Sequence, residues 1–117
     1  MFHSSANLKV YVATQPCDMR KSFDGLFTIV QGKLESSPQS GALFVFFNKK
    51  ATLMKTLYWD GTGLWVLAKR LEKGTFSLPS SARSKGEKIS ITPAAYQLLV
   101  QGVELKNGMT RAWFEAP

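Results

Sequence analysis

The sequence predicts an α+β fold: one domain with a mainly antiparallel sheet of about four to six strands and two helices. Three observations carry this prediction. Apolar side chains recur with a helical period after residue 18, β-forming segments follow one another between residues 42 and 78, and a Thr-Pro pair opens a second helical segment at residue 92. The expected order is strand, helix, four strands and helix, with both helices on one face of the sheet. Residues 1–117 form this one domain, and residues 1–7 and 107–117 are expected to be less ordered.

The first two elements follow from local patterns. A strand is predicted over Leu8–Thr14, where β-forming side chains alternate before Gln15-Pro16 ends the run. A helix is predicted over Asp18–Ser36, and Asp18 is expected to cap its N-terminus. The apolar side chains with helical spacing are Met19, Phe23, Leu26, Phe27, Val30 and Leu34.

The middle of the chain is rich in strand signals. Ala42–Phe47 is a continuous apolar run, which is typical of a central strand buried on both faces. Leu53–Trp59 and Leu64–Leu71 flank the turn sequence Asp60–Gly63, so they predict a hairpin. Thr75–Leu78 is predicted as a further short strand.

The last predicted elements are a short strand over Ile89–Ile91 and a helix capped by Thr92. Pro93 is favoured at the first helical position, and Gly102 lies near the expected C-terminal end. The polar, basic segment Ser80–Lys88 has the composition of a surface linker.

Composition and charge limit the class of protein. Hydrophobic residues make up 44% of the chain, which excludes intrinsic disorder, and 15 Lys and Arg against 8 Asp and Glu give a net charge of +7. This excess of positive charge favours polyanions as partners. Cys17 is the one cysteine and His3 the one histidine, so a disulfide within the chain and a cysteine-based zinc site are excluded. No signal peptide or membrane-spanning segment is recognisable, and the predicted location is cytoplasmic.

The basic residues fall into four clusters with aromatic residues between them. The aromatic side chains are expected to fill the core, whereas the cations are expected to bind a polyanion such as a nucleic-acid backbone, and their pattern says nothing about sequence readout. The clusters are Arg20 and Lys21; Lys49 and Lys50 with Lys55; Lys69 and Arg70 with Lys73; and Arg83, Lys85 and Lys88.

No catalytic group, metal site or cofactor is predicted. Cys17 has no histidine near it in sequence. Asp18, Asp24, Asp60 and Glu72 are the acids that a metal-dependent nuclease would use, but a cap, a helix surface, a hairpin corner and a turn explain them more simply. The chain is therefore not expected to be an enzyme, and a nuclease is the least favoured function.

Four blocks of sequence, taken together and in order, carry a resemblance to a known family. The blocks are Val10–Thr14 with Asp18–Leu26; Gly41–Phe46 with Asn48–Lys50; Lys55–Gly63 with Lys69–Phe76; and Ile91–Pro93 with Leu98, Leu99 and Gly102. Over residues 8–106 the chain resembles the small accessory protein of IS66-type insertion sequences, called TnpB or the second open-reading-frame protein, which is unrelated to the RNA-guided nucleases of the same name.

The resemblance implies a biological role. Proteins of that family are encoded beside a DDE transposase and a second small protein, and they are thought to assist transposition, a form of DNA recombination in bacteria. Because the chain is basic, the expected function is that of an accessory protein that binds DNA without catalysis, at the element ends or on non-specific duplex. The alternative is an adapter that docks on the transposase through the same surface, or through Trp113 and Phe114, without touching DNA.

The resemblance also marks individual residues. The family's basic positions, carried over to this sequence, are Arg20, Lys21, Lys49, Lys50, Lys55, Lys69, Arg70 and Lys73, and their charge makes them the expected nucleic-acid-binding residues. The other motif positions are Asp18, Met19, Asp24, Gly25, Trp59, Asp60, Gly61, Gly63, Leu71, Glu72 and Gly74. The tail departs from the basic tail of the family, because Glu115 accompanies Lys106 and Arg111 there.

Overall fold

The computed structural model of the chain describes residues 7–78 and 86–103. The predicted order of elements is confirmed: strand, helix, four strands and helix. The elements are β1 (Val10–Ala13), α1 (Phe23–Gln31), β2 (Leu43–Phe47), β3 (Leu53–Trp59), β4 (Leu64–Arg70), β5 (Lys88–Ile91) and α2 (Pro93–Val100). The predictions for residues 1–6 and 107–117, for Arg83 and Lys85, and for the aromatic pair Trp113 and Phe114 lie outside the described residues.

The five strands form one sheet in the order β4-β3-β2-β1-β5. β1 and β2 are parallel because α1 carries the chain back between them, whereas the other three pairings are antiparallel. β2 is the central strand and all five of its residues are buried, as its continuous apolar run predicted. A mainly antiparallel α+β sheet is therefore confirmed.

The two helices cover opposite faces of the sheet, so the prediction that both lie on one face is wrong. Leu43, Val45 and Phe47 of β2 pack in one cluster with α2, whereas Phe44 and Phe46 pack in a second cluster with α1. Since neighbouring residues of a strand point to opposite faces, the two clusters lie on the two faces. Because every residue of β2 is apolar, the strand can pack against a helix on each face. The sequence pattern alone does not distinguish this arrangement from two helices on one face.

Helix α1 begins five residues later than predicted, and Asp18 does not cap it. The Asp18 carboxylate instead accepts hydrogen bonds from the backbone and the guanidinium of Arg20, two residues along the chain. The ammonium of Lys55 donates to the carbonyl oxygens of Met19 and Lys21, both at 2.7 Å. Because these carbonyls have a donor outside the helix, the segment needs no helical hydrogen bonds and the helix begins at Phe23.

Thr75–Leu78 does not form a strand, contrary to the prediction. Phe76 donates one backbone hydrogen bond to Ala51, and its ring is buried against Phe47 with 5.3 Å between ring centroids. The buried Phe76 ring and this one backbone hydrogen bond hold the segment in place, and it does not pair with a strand of the sheet.

The second helix forms as its sequence predicted. The hydroxyl of Thr92 accepts a hydrogen bond from the backbone of Ala95, and Pro93 occupies the first turn. Neither described helix has the length and apolar character needed to cross a bilayer.

Candidate nucleic-acid interface

The sheet topology brings several strand termini to one end of the molecule. β1 ends there at Ala13 and β2 at Phe47, while β3 begins at Leu53 opposite the last residue of β4, Arg70. The backbone of Cys17 donates to the Phe47 carbonyl, which ties the loop after β1 to the same end. We call these termini, with the loops that leave them, the basic end.

All eight cations that the resemblance marked lie at or beside the basic end, although 53 residues of sequence separate the first from the last. The carboxylates of Asp18, Asp24, Glu72 and Glu87 lie at the same end. The cations are Arg20 and Lys21 between β1 and α1; Lys49 and Lys50 between β2 and β3; Lys55 within β3; Lys69 and Arg70 at the end of β4; and Lys73 in the loop that follows.

A side-chain network holds the turn that presents Lys49 and Lys50. The Asn48 amide oxygen accepts hydrogen bonds from the backbones of Thr52 and Leu53, at 2.8 and 3.0 Å, and its amide nitrogen donates to the Thr52 hydroxyl. These bonds close the five-residue turn from inside. Both lysines therefore stand on the outside of the turn, where they are exposed.

We expect Asn48→Ala to lower the free energy of unfolding by about 1–2 kcal/mol, because two partly buried backbone N–H groups lose their acceptor. Urea denaturation measures this loss. Asn48→Asp is the control, since a carboxylate keeps the acceptor and removes only the bond to the Thr52 hydroxyl. Equal losses in the two variants would contradict this role of the amide oxygen.

Three of the eight cations have partners within the protein. Lys55 holds the two carbonyls before α1, and Lys69 donates to the carbonyl oxygen of Val100 at the end of α2, at 2.6 Å. Arg20 forms a 2.8 Å ion pair with Asp18, and its hydrogen bonds lower the pKa of that carboxyl to about 2. These three cations therefore already have an intramolecular task.

The other five cations are exposed and available. Their side chains make no hydrogen bond to any of residues 7–78 and 86–103, and the closest approach to an acid is 4.0 Å, between the Arg70 guanidinium and Glu72. Lys21 lies against α1: an added methyl group at Gly25 would meet its Cβ at 3.0 Å, so glycine at this motif position lets the lysine pack there. The five are Lys21, Lys49, Lys50, Arg70 and Lys73.

Lys88 has an internal role that the sequence did not reveal. It was grouped with Arg83 and Lys85 as a surface cluster, but its ammonium donates to the Leu34 carbonyl and the Ser36 hydroxyl. The same ammonium lies 5.2 Å from the centre of the Tyr11 ring. Lys88 thus fixes the loop after α1 against β1 and β5.

Several of the motif residues form the hairpin at the opposite end of the sheet. One oxygen of the Asp60 carboxylate accepts bonds from the backbones of Thr62 and Gly63, and the other accepts a 2.8 Å bond from the indole of Trp65. These donors lower the pKa of Asp60, with the Trp65 bond as the largest cause. Gly61 has a φ of +103°, which favours glycine in this turn. Here the motif specifies a turn.

The remaining motif positions also lie in turns and packing contacts. Leu71 packs against Gly102 after α2, and Gly74 has a φ of +73° in the loop after β4. Asp24 lies in the first turn of α1, where an acid is favoured.

The acidic residues do not converge on one point. Asp60 lies at one end of the seven-residue strand β3, whereas Asp18 and Glu72 lie at the other, ~20 Å away. Among residues 7–78 and 86–103, no three acids, histidines or cysteines lie close enough together to hold a metal ion. Burial raises the pKa of the Cys17 thiol, which is the opposite of what activates a thiol nucleophile.

The described aromatic side chains are buried or partly buried, as expected, with two exceptions, Trp65 and Phe23, and Phe23 is 48% exposed at the start of α1. Phe46 and Phe47 are buried in the core on the two faces of β2. Trp65 is 45% exposed, and it lies at the hairpin, away from the basic end.

Comparison with known proteins places the sequence among relatives. Residues 8–110 match the family described as IS66 Orf2 like protein. The uncharacterized protein y4jC of Sinorhizobium fredii is 36% identical over 104 residues, which cover 89% of this chain and 86% of the relative. The uncharacterized protein y4hO of the same organism is 36% identical over 107 residues, covering 92% and 90% of the two chains. No solved structure matches the chain significantly.

Proposed function

Because the chain belongs to the IS66 Orf2-like family of insertion-sequence accessory proteins, we propose that it assists transposition by binding DNA, without catalysis, through the basic end. The five exposed cations, Lys21, Lys49, Lys50, Arg70 and Lys73, contact phosphates. Arg20 lies on the same surface in its ion pair with Asp18, and Lys55 and Lys69 hold backbone carbonyls beside it. The DNA belongs to the ends of the element or to non-specific duplex, and the DDE transposase and the second small protein of the element act beside it.

The concentration of cations at one end of the sheet carries this proposal. The loop after β1, the turn after β2 and the end of β4 each contribute exposed cations, and the sheet places all three at the same end. Within the described residues, the carboxylates there are fewer than the cations, and one of them, Asp18, is already paired with Arg20. A duplex carries one phosphate charge per about 1.7 Å of its axis, so several of these cations can each meet a phosphate.

The chemistry of these cations favours backbone contact over sequence readout. Four of the five are lysines on loops or turns, and a lysine ammonium is a flexible point charge that suits a phosphate better than a base edge. The exposed polar positions of α1 are Asp24, Thr28 and Gln31, which carry a carboxylate and no cation, so this face of the helix is poorly suited to enter a groove between phosphates.

A gel-shift titration tests the proposal. The full chain is titrated against duplex with the terminal repeats of the element and against scrambled duplex of equal length, at about 50 mM salt. We expect both to be retained, with similar affinities if phosphates dominate. If neither duplex is retained at this salt concentration, the proposal is wrong.

The same preparation separates DNA binding from the adapter alternative. If the chain co-purifies with the transposase after nuclease treatment and retains no DNA, it is an adapter. If it retains DNA in the absence of the transposase, the basic end suffices for binding.

A further inference from the structure

The outer edge of β4 is a row of backbone groups available to another strand. In the β3–β4 ladder, Asp60 donates to the Gly63 carbonyl and Leu71 donates to the Thr52 carbonyl. Residues of β4 with odd numbers therefore bond to β3, and the even-numbered residues direct their N–H and C=O groups outward. These are Leu64, Val66, Ala68 and Arg70. No other described strand pairs with this edge.

This edge has few of the features that normally prevent pairing. It is seven residues long, and its first five residues, Leu64–Ala68, are uncharged. Trp65 on this strand is 45% exposed. Natural edges are usually short, or carry lysine or proline along their length, whereas β4 carries charge in its last two residues alone.

We propose that β4 pairs with β4 of a second copy of this chain, antiparallel about a two-fold axis at Leu67. This register pairs all seven residues of both strands, since Leu67 is the midpoint of Leu64–Arg70. It forms hydrogen-bonded pairs between outward-facing residues: Leu64 with Arg70, and Val66 with Ala68, of the second copy. The result is a continuous ten-stranded sheet.

The charges of β4 favour this arrangement. The register places Lys69 of one copy opposite Trp65 of the other, and the Trp65 indole is bonded to the Asp60 carboxylate. The Lys69 ammonium stays bonded to the Val100 carbonyl of its own copy, its aliphatic part packs beside the Trp65 ring, and neither Lys69 nor Arg70 lies opposite a like charge. A parallel pairing in the same alignment would instead place Lys69 beside Lys69 and Arg70 beside Arg70, which is unfavourable. The strand is therefore complementary to an inverted copy of itself.

The pairing does not depend on DNA, but it has a consequence for the proposed function. Antiparallel strands direct the two basic ends away from each other. If each basic end binds duplex as proposed, one dimer can contact two separate stretches of DNA.

Light scattering on the full chain tests the proposal over a range of protein concentrations. We expect a mass approaching twice the 13.0 kDa of one chain. Val66→Pro removes one outward N–H and no bond to β3, so it is expected to stay folded by circular dichroism and to shift towards the monomer. Val66→Thr is its control and is expected to remain a dimer. If the wild-type chain is a monomer at all concentrations, the proposal is wrong. It is also wrong if Val66→Pro forms a dimer as readily as the wild-type chain.

An engineered disulfide tests the register. In a Cys17→Ser background, Leu67→Cys places two thiols in a non-hydrogen-bonded pair with ~4.5 Å between Cα atoms, which suits a disulfide. We expect a covalent dimer under mild oxidation. Ala68→Cys is the matched control, because its two thiols would be offset by two residues, about 7 Å along the strands in addition to the strand spacing, and should not join. Equal cross-linking of the two variants, or none by Leu67→Cys, would contradict the axis at Leu67.

Discussion

Neutralising four cations of the basic end together is expected to lower duplex affinity by at least ~10²-fold at about 50 mM salt. The variant combines Lys49→Gln, Lys50→Gln, Arg70→Gln and Lys73→Gln. Each side chain is exposed and none has a hydrogen-bond partner within the described part of the chain, so the folded protein should keep its stability. The loss follows from counterion release, because each phosphate that is no longer neutralised retains its bound cation.

The salt dependence identifies the cause of the loss. With five phosphates contacted, wild-type affinity should fall by about 500-fold between about 50 and 200 mM salt. Four fewer contacts should reduce the slope of log affinity against log salt by about 3 to 4. Gel-shift titration at several salt concentrations measures both slopes.

A matched pair of single variants controls for net charge. Lys50→Gln and Lys9→Gln each remove one positive charge, but Lys50 lies at the basic end and Lys9 precedes β1 at the opposite end. We expect the first to lower the salt slope by about 1 and the second to leave it nearly unchanged. Equal effects would mean that the charge acts through the whole molecule, without a defined surface.

Local patterns determined the strands better than the helix boundaries. Leu53–Trp59 was predicted to the residue, because strand-forming side chains are followed at once by the Asp-Gly turn. The start of α1 was not, because the donor that holds the preceding carbonyls is Lys55, more than 30 residues away. A 3.6-residue period from Met19 onwards cannot report a hydrogen bond from another strand.

The prediction that both helices lie on one face of the sheet was wrong for a related reason. β2 is apolar at every position, so its sequence is compatible with a helix on either face or on both. Which face α2 covers depends on β5 pairing beside β1 at the far edge of the sheet. That pairing is antiparallel and joins residues about 80 positions apart, such as Val10 and Ile91, and no local pattern encodes it.

The sequence predicted which residues belong to the candidate interface, but it did not predict which of them are exposed and which are bonded within the protein. The sequence named eight cations as candidates, and the structure places these eight side chains at or beside one end of the sheet. It could not distinguish Lys50, whose ammonium is exposed, from Lys55 and Lys69, whose ammonium groups hold backbone carbonyls. These three residues are all lysines, and they differ in whether a backbone carbonyl oxygen lies within 3 Å of the side-chain ammonium.

Lys55→Met is therefore expected to destabilise the fold and to leave the salt slope of DNA binding unchanged. The ammonium makes two 2.7 Å bonds to the carbonyls of Met19 and Lys21, and methionine keeps the length of the side chain but supplies no donor. We expect the free energy of unfolding to fall by about 2 kcal/mol, because a charged donor is lost and the partly buried Met19 carbonyl is left without a partner. Urea denaturation measures this loss.

Lys50→Met makes the same chemical change at an exposed turn and is the matched control. Its stability should change by less than about 0.5 kcal/mol, and its salt slope should fall by about 1. The two variants thus predict opposite patterns: Lys55 affects folding and Lys50 affects binding. If Lys55→Met were as stable as wild type and bound DNA with a reduced salt slope, its ammonium would contact phosphate in solution, and the assignment of Lys55 as an internal clamp on the loop before α1 would be wrong.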